Sequence, residues 1–361
     1  MMNSSETPID EGYQLLACQY LREQLDRVAQ YTQGARQAKD IEDVHQSRVA
    51  SRRMRAALVM FSPCFPKKKI KLWTKHIKAI TGGLGDARDK DVQILFVQDF
   101  LKQLGEEDKR YRTGIQRLHL RLCQQRTKFQ PRVIKAIDKL DHSQALGDMA
   151  GDLERMLFVL RARQVSVATP AVWTRTAGYI QSRLTALLAC QDCLTDSARV
   201  TDHHRMRIMA KKLRYTMEIC RAAYGSDLND AIKSVKQVQT LLGDIHDCDV
   251  WAEQIDQFID REYQRTLEYF GHNRPFNFIQ PGLDYLKQRR LSQRQDLFAQ
   301  LQQTWNQFEQ QGVWSSITTL LQQYCNQSAQ SQPCDDLEVQ DEQDEQNQSP
   351  QPDSDADRPA G

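Results

Sequence analysis

Two sequence motifs each occur twice in the same order, and this internal repeat constrains the fold more than any other feature of the chain. Residues 45–55 read HQSRVASRRMR and residues 204–214 read HRMRIMAKKLR. Residues 84–92 (LGDARDKDV) match residues 242–250 (LGDIHDCDV) in the same way. The copies are separated by 159 and 158 residues. This constant offset predicts a tandem duplication in which both halves fold alike.

Long stretches of the chain repeat apolar residues every three or four positions, as in residues 13–28 and 283–308. This spacing is typical of an α-helix with one buried face, and the period-two alternation of strands is absent. We therefore predict an all-α fold with helices of roughly 15 to 28 residues, four or so in each half. Turn-forming residues predict the helix breaks at Ser62-Pro63, Gly82-Gly83, Gly105, Gln130-Pro131, Ala168-Thr169-Pro170, Gly225, Gly243 and residues 273–282.

The repeat divides the chain into a helical domain over residues 11–325 and a C-terminal tail. We expect the repeats to cover residues 11–165 and 173–325 and to pack as two four-helix bundles about a pseudo-twofold axis. Residues 326–361 are mostly Gln, Ser, Asp, Glu and Pro. Such a segment cannot bury enough apolar surface to offset the entropy of ordering. We predict a disordered acidic tail.

The formal net charge of +2 hides an uneven distribution of charge. Residues 331–361 carry ten acidic residues and one basic residue, so the preceding 330 residues carry 48 basic and 37 acidic ones. The predicted domain is therefore basic, and its expected ligands are anions. No apolar run reaches the roughly 18 residues of a membrane span, and no signal-peptide pattern opens the chain. Nine dispersed cysteines fit reduced thiols, so we expect a cytoplasmic protein without membrane association.

The first repeated motif forms a basic stripe when it is helical. Successive residues of an α-helix are rotated by about 100°, which places positions i, i+3, i+7 and i+10 within an arc of roughly 80°. These positions are His45, Arg48, Arg52 and Arg55 in the first half and His204, Arg207, Lys211 and Arg214 in the second, with Arg53 and Lys212 beside them.

A second group of basic residues follows the first stripe. Residues 45–78 contain ten Lys or Arg and no acid. A solvated helix face normally alternates basic and acidic residues, so two interpretations stand: a solvated basic face, or a surface that binds a polyanion. Because the basic pattern recurs in both halves, we favour the interpretation that this surface binds a polyanion. The second group consists of Lys68, Lys71, Lys75 and Lys78, of which the last two match Lys233 and Lys236.

The order of these residues resembles the conserved histidine α-helical domain, known as the CHAD domain. Each half has a histidine, an arginine three residues later, a basic pair after seven and eight, an arginine after ten, and then Leu-Gly-Asp-x-x-Asp-x-Asp-Val. The resemblance extends over roughly residues 11–325. It implies two helical bundles around a basic central cavity or pore that binds inorganic polyphosphate, and targeting of the protein to polyphosphate granules.

The resemblance also implies which residues bind polyphosphate. They are His45, Arg48, Arg52, Arg53, Arg55, Lys75, Lys78 and Arg88 in the first half, and His204, Arg207, Lys211, Lys212, Arg214, Lys233 and Lys236 in the second. The second half has His246 where the first has Arg88. The two sides of the site therefore differ in charge, because a histidine adds charge only at low pH.

Inorganic polyphosphate suits such residues because it is a flexible chain with negative charge on every phosphate. Arginine offers planar forks for phosphate oxygens, and lysine offers a mobile point charge. Release of counterions would make the affinity high and strongly dependent on salt, as it is for nucleic-acid backbones. This function needs no reaction, so we predict no catalytic residue and no cofactor.

The aspartates of the second motif have two interpretations. Asp86, Asp89 and Asp91, with Asp244, Asp247 and Asp249, could ligate Mg²⁺ brought in by polyphosphate. In the structural interpretation, which we favour, Gly85 ends one helix, Asp86 or Asp89 caps the next, and the other carboxylates hold arginines of the stripe. His45 and His204 have no ligand type three or four residues later, and Cys190-x-x-Cys193 lacks a second pair, so neither predicts a metal site.

Three other functions use parts of the same pattern. An RNA-backbone binder would use the same basic residues, but the stripe lacks the interleaved aromatic residues on which single strands stack. An accessory role in phosphate-ester or polyphosphate metabolism is a further alternative, although the Glu-x-Glu-x-Lys strand motif of triphosphate tunnel enzymes is absent. A purely structural scaffold ranks last.

Overall fold

The computed structural model describes residues 9–38 and 40–329. The regular structure of these residues consists of eleven α-helices and four short 3₁₀ turns, without a strand. This confirms the predicted all-α fold. The expected number of helices was too low, because the first half has six α-helices and the second has five.

The helices follow one another in the same order in both halves. The first half contains α1 (Glu11–Gln37), α2 (Ile41–Met60), α3 (Lys67–Gly83), α4 (Gly85–Gln103), α5 (Arg112–His142) and α6 (Ala145–Ala162). The second contains α7 (Pro170–Leu188), α8 (Val200–Tyr224), α9 (Asn229–Phe270), α10 (Gln280–Gln310) and α11 (Val313–Ala329). The 3₁₀ turns are Ser62–Cys64, Lys109–Tyr111, Gln191–Thr195 and Arg274–Phe278. α1 packs on α2 and α6, and α7 packs on α8 and α11 in the corresponding way.

α9 corresponds to α3 and α4 joined into one helix, so the break predicted at Gly243 is wrong. The first half has Gly82-Gly83 immediately before the break at Leu84, whereas the second half has Thr240-Leu241 at the matching positions. Each glycine inside a helix costs about 1 kcal/mol relative to alanine. One glycine leaves α9 intact, while three within four residues coincide with the interruption between α3 and α4.

Pro131 lies inside α5, where the predicted break is also wrong. Proline removes one backbone hydrogen bond and crowds the preceding turn. Val133 and Ile137 on the following turns are buried in a hydrophobic cluster, and the Gln130 side chain donates a hydrogen bond to the carbonyl oxygen of Ala35. These tertiary contacts hold the helix together across the proline.

Side-chain caps set the first residues of several helices. Asp10 accepts a hydrogen bond from the backbone of Tyr13 at 2.9 Å at the start of α1. Asp40 caps α2 in the same manner. Thr169 caps α7 directly before Pro170, a residue suited to the first turn because its missing N–H has no partner there.

The hydrophobic core joins the two halves. The largest cluster combines Leu16 and Met54 of the first half with Met206 and Met217 of the second. A smaller cluster joins Val97 and Ile115 to Trp251 and Leu283. Because both halves contribute to the same clusters, α2, α4, α8 and α9 are fixed relative to one another.

The C-terminal helix continues to Ala329, four residues past the predicted domain end at 325. The rest of the predicted disordered tail, residues 330–361, lies outside the described residues. Among the described cysteines all eight are free. Within the same part of the chain, no helix is long and apolar enough to cross a membrane.

Candidate functional site

The two copies of each repeated motif line a single cavity. The first motif lies on α2 and α8, which pack against each other. The second motif lies on α4 and in the middle of α9. Together these four helices surround a cavity of about 530 Å³.

The charged lining of this cavity is mainly basic. Its uncharged wall is formed by residues such as Val49, Tyr215 and Trp251. The basic residues are Arg48, Arg52, Arg88, Arg207 and Lys211, the acidic residues are Asp89 and Asp247, and the histidines are His45 and His246. Without the histidines, four arginines and one lysine face two carboxylates. This excess of basic residues suits an anionic ligand.

Arg48 is held in place from three sides. Its Nη1 donates a hydrogen bond to the backbone oxygen of Thr81 at 3.1 Å, and its Nη2 lies 3.9 Å from an Asp89 oxygen. On the third side lies Gly85, where a Cβ atom would stand 2.8 Å from Nη1. The glycine of the second motif thus provides space for the first arginine of the first motif.

Arg207 has the matching place in the second half, next to Gly243. Its Nε is buried and has no hydrogen-bond partner among the described residues. This N–H is closed to solvent, so a ligand in the cavity would meet the Nη groups of Arg207 instead, which make no hydrogen bond within the described part of the chain.

Burial and mutual repulsion change the pKa values of the basic groups. Burial lowers the pKa of Arg48, Arg88 and Arg207, but arginine stays protonated in proteins. Lys211 responds more strongly: burial first, and then the charges of Arg207 and Arg52, lower its pKa to about 7. Lys211 is therefore only partly charged at neutral pH in the empty cavity.

Histidines form the neutral part of the site. The Nδ1 atoms of His204 and His246 lie 3.3 Å apart, so one ring donates to the other. Burial, followed by the charge of Arg207, lowers the pKa of His246 to about 4. Burial also lowers the pKa of His45 and His204, so all three rings are neutral at pH 7 and can exchange hydrogen bonds with a phosphate.

The structure brings together some of the residues predicted to bind polyphosphate and places others elsewhere. Those that line the cavity are His45, Arg48, Arg52, Arg88, Arg207 and Lys211, with His204 touching the cavity residue His246. Arg55 lies on α2 but does not line the cavity. Lys75, Lys78 and Lys212 are exposed and lie outside it, and Lys233 and Lys236 line a separate surface cleft.

Arg53 and Arg214 bind a carboxylate instead of facing the cavity. Arg53 Nη2 lies 2.9 Å from Glu218, and Arg214 contacts the other oxygen of the same carboxylate. Arg53 is rotated by about 100° from Arg52 along the helix, so the two neighbours point to different sides of α2. Glu218 lies four residues after Arg214, so helical spacing could have indicated that contact, whereas its contact with Arg53 spans 165 residues.

In the first copy of the second motif, the three aspartates bind three different arginines. Asp89 faces Arg48 across the cavity wall, and Asp86 pairs with Arg132 at 3.4 Å. Asp91 accepts a 2.6 Å hydrogen bond from Arg126. In the second half, Asp249 pairs with Arg294 as Asp91 does with Arg126.

The capping details of the structural interpretation were wrong, because Gly85 begins α4 and no side chain caps that helix. Its counterpart lies in the interior of the continuous α9. No group of three or more His, Cys, Asp or Glu in residues 9–38 and 40–329 is arranged to hold a metal ion. The predicted pairing with arginines of the stripe holds for Asp89, whereas Asp86, Asp91 and Asp249 pair with arginines outside the stripe.

Tyr215, Gln93 and Gln254 line the cavity although the sequence analysis did not name them. Tyr215 lies one helical turn after Lys211, so extending the basic stripe by four residues would have found it. The Gln93 amide donates to the Gln254 side chain at 2.5 Å. This contact between the halves has no signal in either sequence motif.

Comparison with protein families identifies one match along the chain. The family described as the CHAD domain matches residues 19–256. The match includes both copies of both motifs and ends within α9.

Two curated relatives come from Mycobacterium tuberculosis, the uncharacterized proteins MT2285 and Rv2226. Each is 28% identical over 275 residues, which covers 71% of this chain and 47% of the relative. The chain thus spans about half the length of these relatives.

Two solved structures share the fold. The crystal structure of the CHAD domain from the plant Ricinus communis has a TM-score of 0.57 at 20% identity, covering 79% of this chain and 89% of that one. PptA from Streptomyces chartreusis has a TM-score of 0.55 at 15% identity, covering 82% and 99%. At these identities the likeness concerns the fold.

Proposed function

The chain belongs to the CHAD domain family, and from this premise we propose that it binds inorganic polyphosphate in the basic cavity without chemically changing it. The observation that carries the proposal is the common lining of this cavity by both repeats, with five basic residues against two carboxylates. We also propose that the protein associates with polyphosphate granules in the cytoplasm, as expected from the family resemblance.

The arginines supply the fixed part of the proposed site. Arg48 is held by Thr81 and Asp89, and the Nη groups of Arg207 make no hydrogen bond within the described part of the chain. Preorganised guanidinium groups bind phosphate oxygens without losing much side-chain entropy on binding.

Lys211 and Arg52 supply attraction that exists only when an anion is present. In the empty cavity burial, and after it repulsion by Arg207 and Arg52, lower the pKa of Lys211. A phosphate chain between them replaces repulsion by attraction and restores the lysine proton. A polyphosphate can provide several such phosphates in series, whereas orthophosphate provides one.

The proposed function is tested by titrating the full chain with long-chain polyphosphate and with RNA of equal total charge. We expect polyphosphate to bind more tightly at every salt concentration, and its affinity to fall steeply with added salt. Equal or tighter binding of RNA would instead support the nucleic-acid alternative.

A charge reversal inside the cavity locates the binding. Lys211→Glu should weaken polyphosphate binding at least about tenfold, because it adds repulsion as well as removing attraction. Lys135→Glu makes the same charge change on the exposed face of α5 and serves as the control. Equal weakening by both variants would contradict a site in the cavity.

A second experiment tests the proposal that polyphosphate is not chemically changed. The protein is incubated with polyphosphate and Mg²⁺, and sustained release of phosphate would overturn the proposal.

A further inference from the structure

A second cleft lies away from the basic cavity and shares no lining residue with it. It has a volume of about 710 Å³ and lies between α5, the end of α9 and the turn that connects α9 to α10. Clefts of a few hundred to 1,000 Å³ are typical of small-molecule sites. All of the lining contributed by α9 and by this turn lies beyond residue 256, where the family match ends.

Three arginines of this cleft converge on one buried carboxylate. Glu262 is only 1% exposed. It accepts hydrogen bonds from Nε of Arg117 and Nε of Arg121, both at 2.8 Å, and from Nη1 of Arg265 at 2.7 Å. Burial raises the pKa of Glu262, but the hydrogen bonds from Arg265, Arg117 and Arg121 outweigh it and lower the pKa, so the group is ionised. Three positive charges thus surround one negative charge.

The arginines keep donors for a further anion. Arg121 already uses all three of its nitrogens, because Nη2 also donates to Glu262 and Nη1 donates to Gln124. In the described part of the chain, neither Nη atom of Arg117 makes a hydrogen bond, and Arg265 uses only Nη1. Their bonds to Glu262 fix both side chains in orientation. Glu268 also lines the cleft and reduces the excess charge to one, so the cleft favours a small anion over a long polyanion.

Two aromatic rings line the cleft beside the arginines. Tyr269 is 82% exposed and Phe270 is 52% exposed. Their ring centroids are 4.7 Å apart in an edge-to-face arrangement with an interplanar angle of 75°, and the Phe270 ring also lies 6.3 Å from that of His272. Because both residues remain more than half exposed, ring surface is available to a flat ligand. Pro275 and Ile279 add apolar surface. Adjacent exposed rings of this kind mark interaction sites.

We propose that this cleft binds a nucleotide, with the base against Tyr269 and Phe270 and the phosphates on Arg117 and Arg265. A phosphate chain alone would leave the rings without a contact, and an apolar ligand would leave the arginine donors without one. A nucleotide combines a flat aromatic group with adjacent phosphates, and base stacking on aromatic side chains is a general source of affinity.

The experiment measures ATP binding to the full chain and to the double variant Tyr269→Ala with Phe270→Ala. We expect the double variant to bind ATP at least about tenfold more weakly, because base stacking is lost, and to bind long-chain polyphosphate unchanged. Phe278→Ala is the matched control, since Phe278 is 74% exposed but does not line the cleft. Its ATP affinity should equal that of the unmodified protein.

Lys211→Glu separates this cleft from the basic cavity, where the triphosphate of ATP could also bind. We expect this variant to keep its ATP affinity, and tripolyphosphate without a base to compete poorly with ATP. No measurable ATP binding, or ATP binding lost in Lys211→Glu but kept in the aromatic double variant, would overturn the proposal. Binding of oligoadenylate RNA without binding of ATP would overturn it as well.

Discussion

The guanidinium group of Arg48 lies against the backbone of Gly85, so closely that a Cβ atom at position 85 would stand 2.8 Å from Nη1. The arginine belongs to the first repeated motif and the glycine to the second. Their contact joins the two motifs directly in the first half. In the second half the corresponding distance, from Gly243 to Arg207 Nε, is 3.9 Å, an ordinary van der Waals contact.

We expect Gly85→Ala to displace Arg48 and to lower the affinity for polyphosphate several-fold. Gly243→Ala should leave the affinity nearly unchanged, because its methyl group fits. Both changes place alanine in a helix and gain about 0.5 to 1 kcal/mol from helix propensity, so neither should unfold the protein. Binding titrations and thermal melts of the two variants check this. Equal affinities in the two variants would contradict the role assigned to Gly85.

Polyphosphate binding should weaken as the pH rises from about 6.5 to 8.5. Lys211 has a pKa of about 7 in the empty cavity, so it loses its charge over this range. The neighbouring histidines titrate below it, since their pKa values are lowered, and the arginines remain charged. Titrations across the pH range test this, and Lys211→Arg should remove most of the pH dependence. If the pH dependence of binding persists in Lys211→Arg, a group other than Lys211 causes it.

Replacing Lys211 by methionine should stabilise the empty protein. Folding lowers the pKa of this lysine from 10.5 to about 7. Between these values the unfolded chain binds more protons, so the stability of the unmodified protein rises with pH there. The destabilisation of the folded protein by Lys211 is largest at and below pH 7, where the buried lysine is charged. The advantage of Lys211→Met in the free energy of unfolding should therefore shrink between pH 7 and 9, by at most about 1.4 kcal/mol per pH unit.

Denaturant unfolding at several pH values measures this difference. Lys135→Met serves as the comparison because Lys135 is exposed, and its effect should be small and independent of pH. An advantage of Lys211→Met that does not change with pH would show that the lysine is charged in the folded protein throughout.

Both repeats should contribute to one polyphosphate site. Arg52 lies on α2 and Lys211 lies on α8. Arg52→Glu and Lys211→Glu should each weaken polyphosphate binding severely, because each places a carboxylate in the same cavity. Isothermal titration with a short, defined polyphosphate checks this through the stoichiometry. Half of the binding capacity at unchanged affinity in each variant would indicate two independent half-sites.

Arg126→Met should destabilise the protein by about 3 to 5 kcal/mol, because it leaves the carboxylate of Asp91 buried and unpaired. Asp91 is 3% exposed and accepts its 2.6 Å hydrogen bond from Arg126. Adding Asp91→Leu should recover most of the loss by removing the buried charge. The denaturant midpoints of the single and double variants measure this loss and recovery of stability. A double variant as unstable as Arg126→Met would show that packing of the arginine, rather than its charge, matters.

The sequence by itself determined the all-α fold and the order of the site residues along it. Apolar residues at helical spacing predict helices because the period of an α-helix is local. Repetition of the motifs predicted His45, Arg48 and Arg52 as a stripe, and the structure places all three in the cavity. The matching stripe on α8 was predicted for the same reason.

Only the tertiary structure decided which basic residues face the cavity and which carboxylates hold them. Arg52 and Arg53 are adjacent in the sequence, yet Arg53 binds Glu218 from the other half. Pro131 and Gly243 are local breaking signals that packing overrides. The arginine cluster around Glu262 joins residues about 140 positions apart. Such partners are set by the packing of distant helices, and a local sequence pattern holds no information about them.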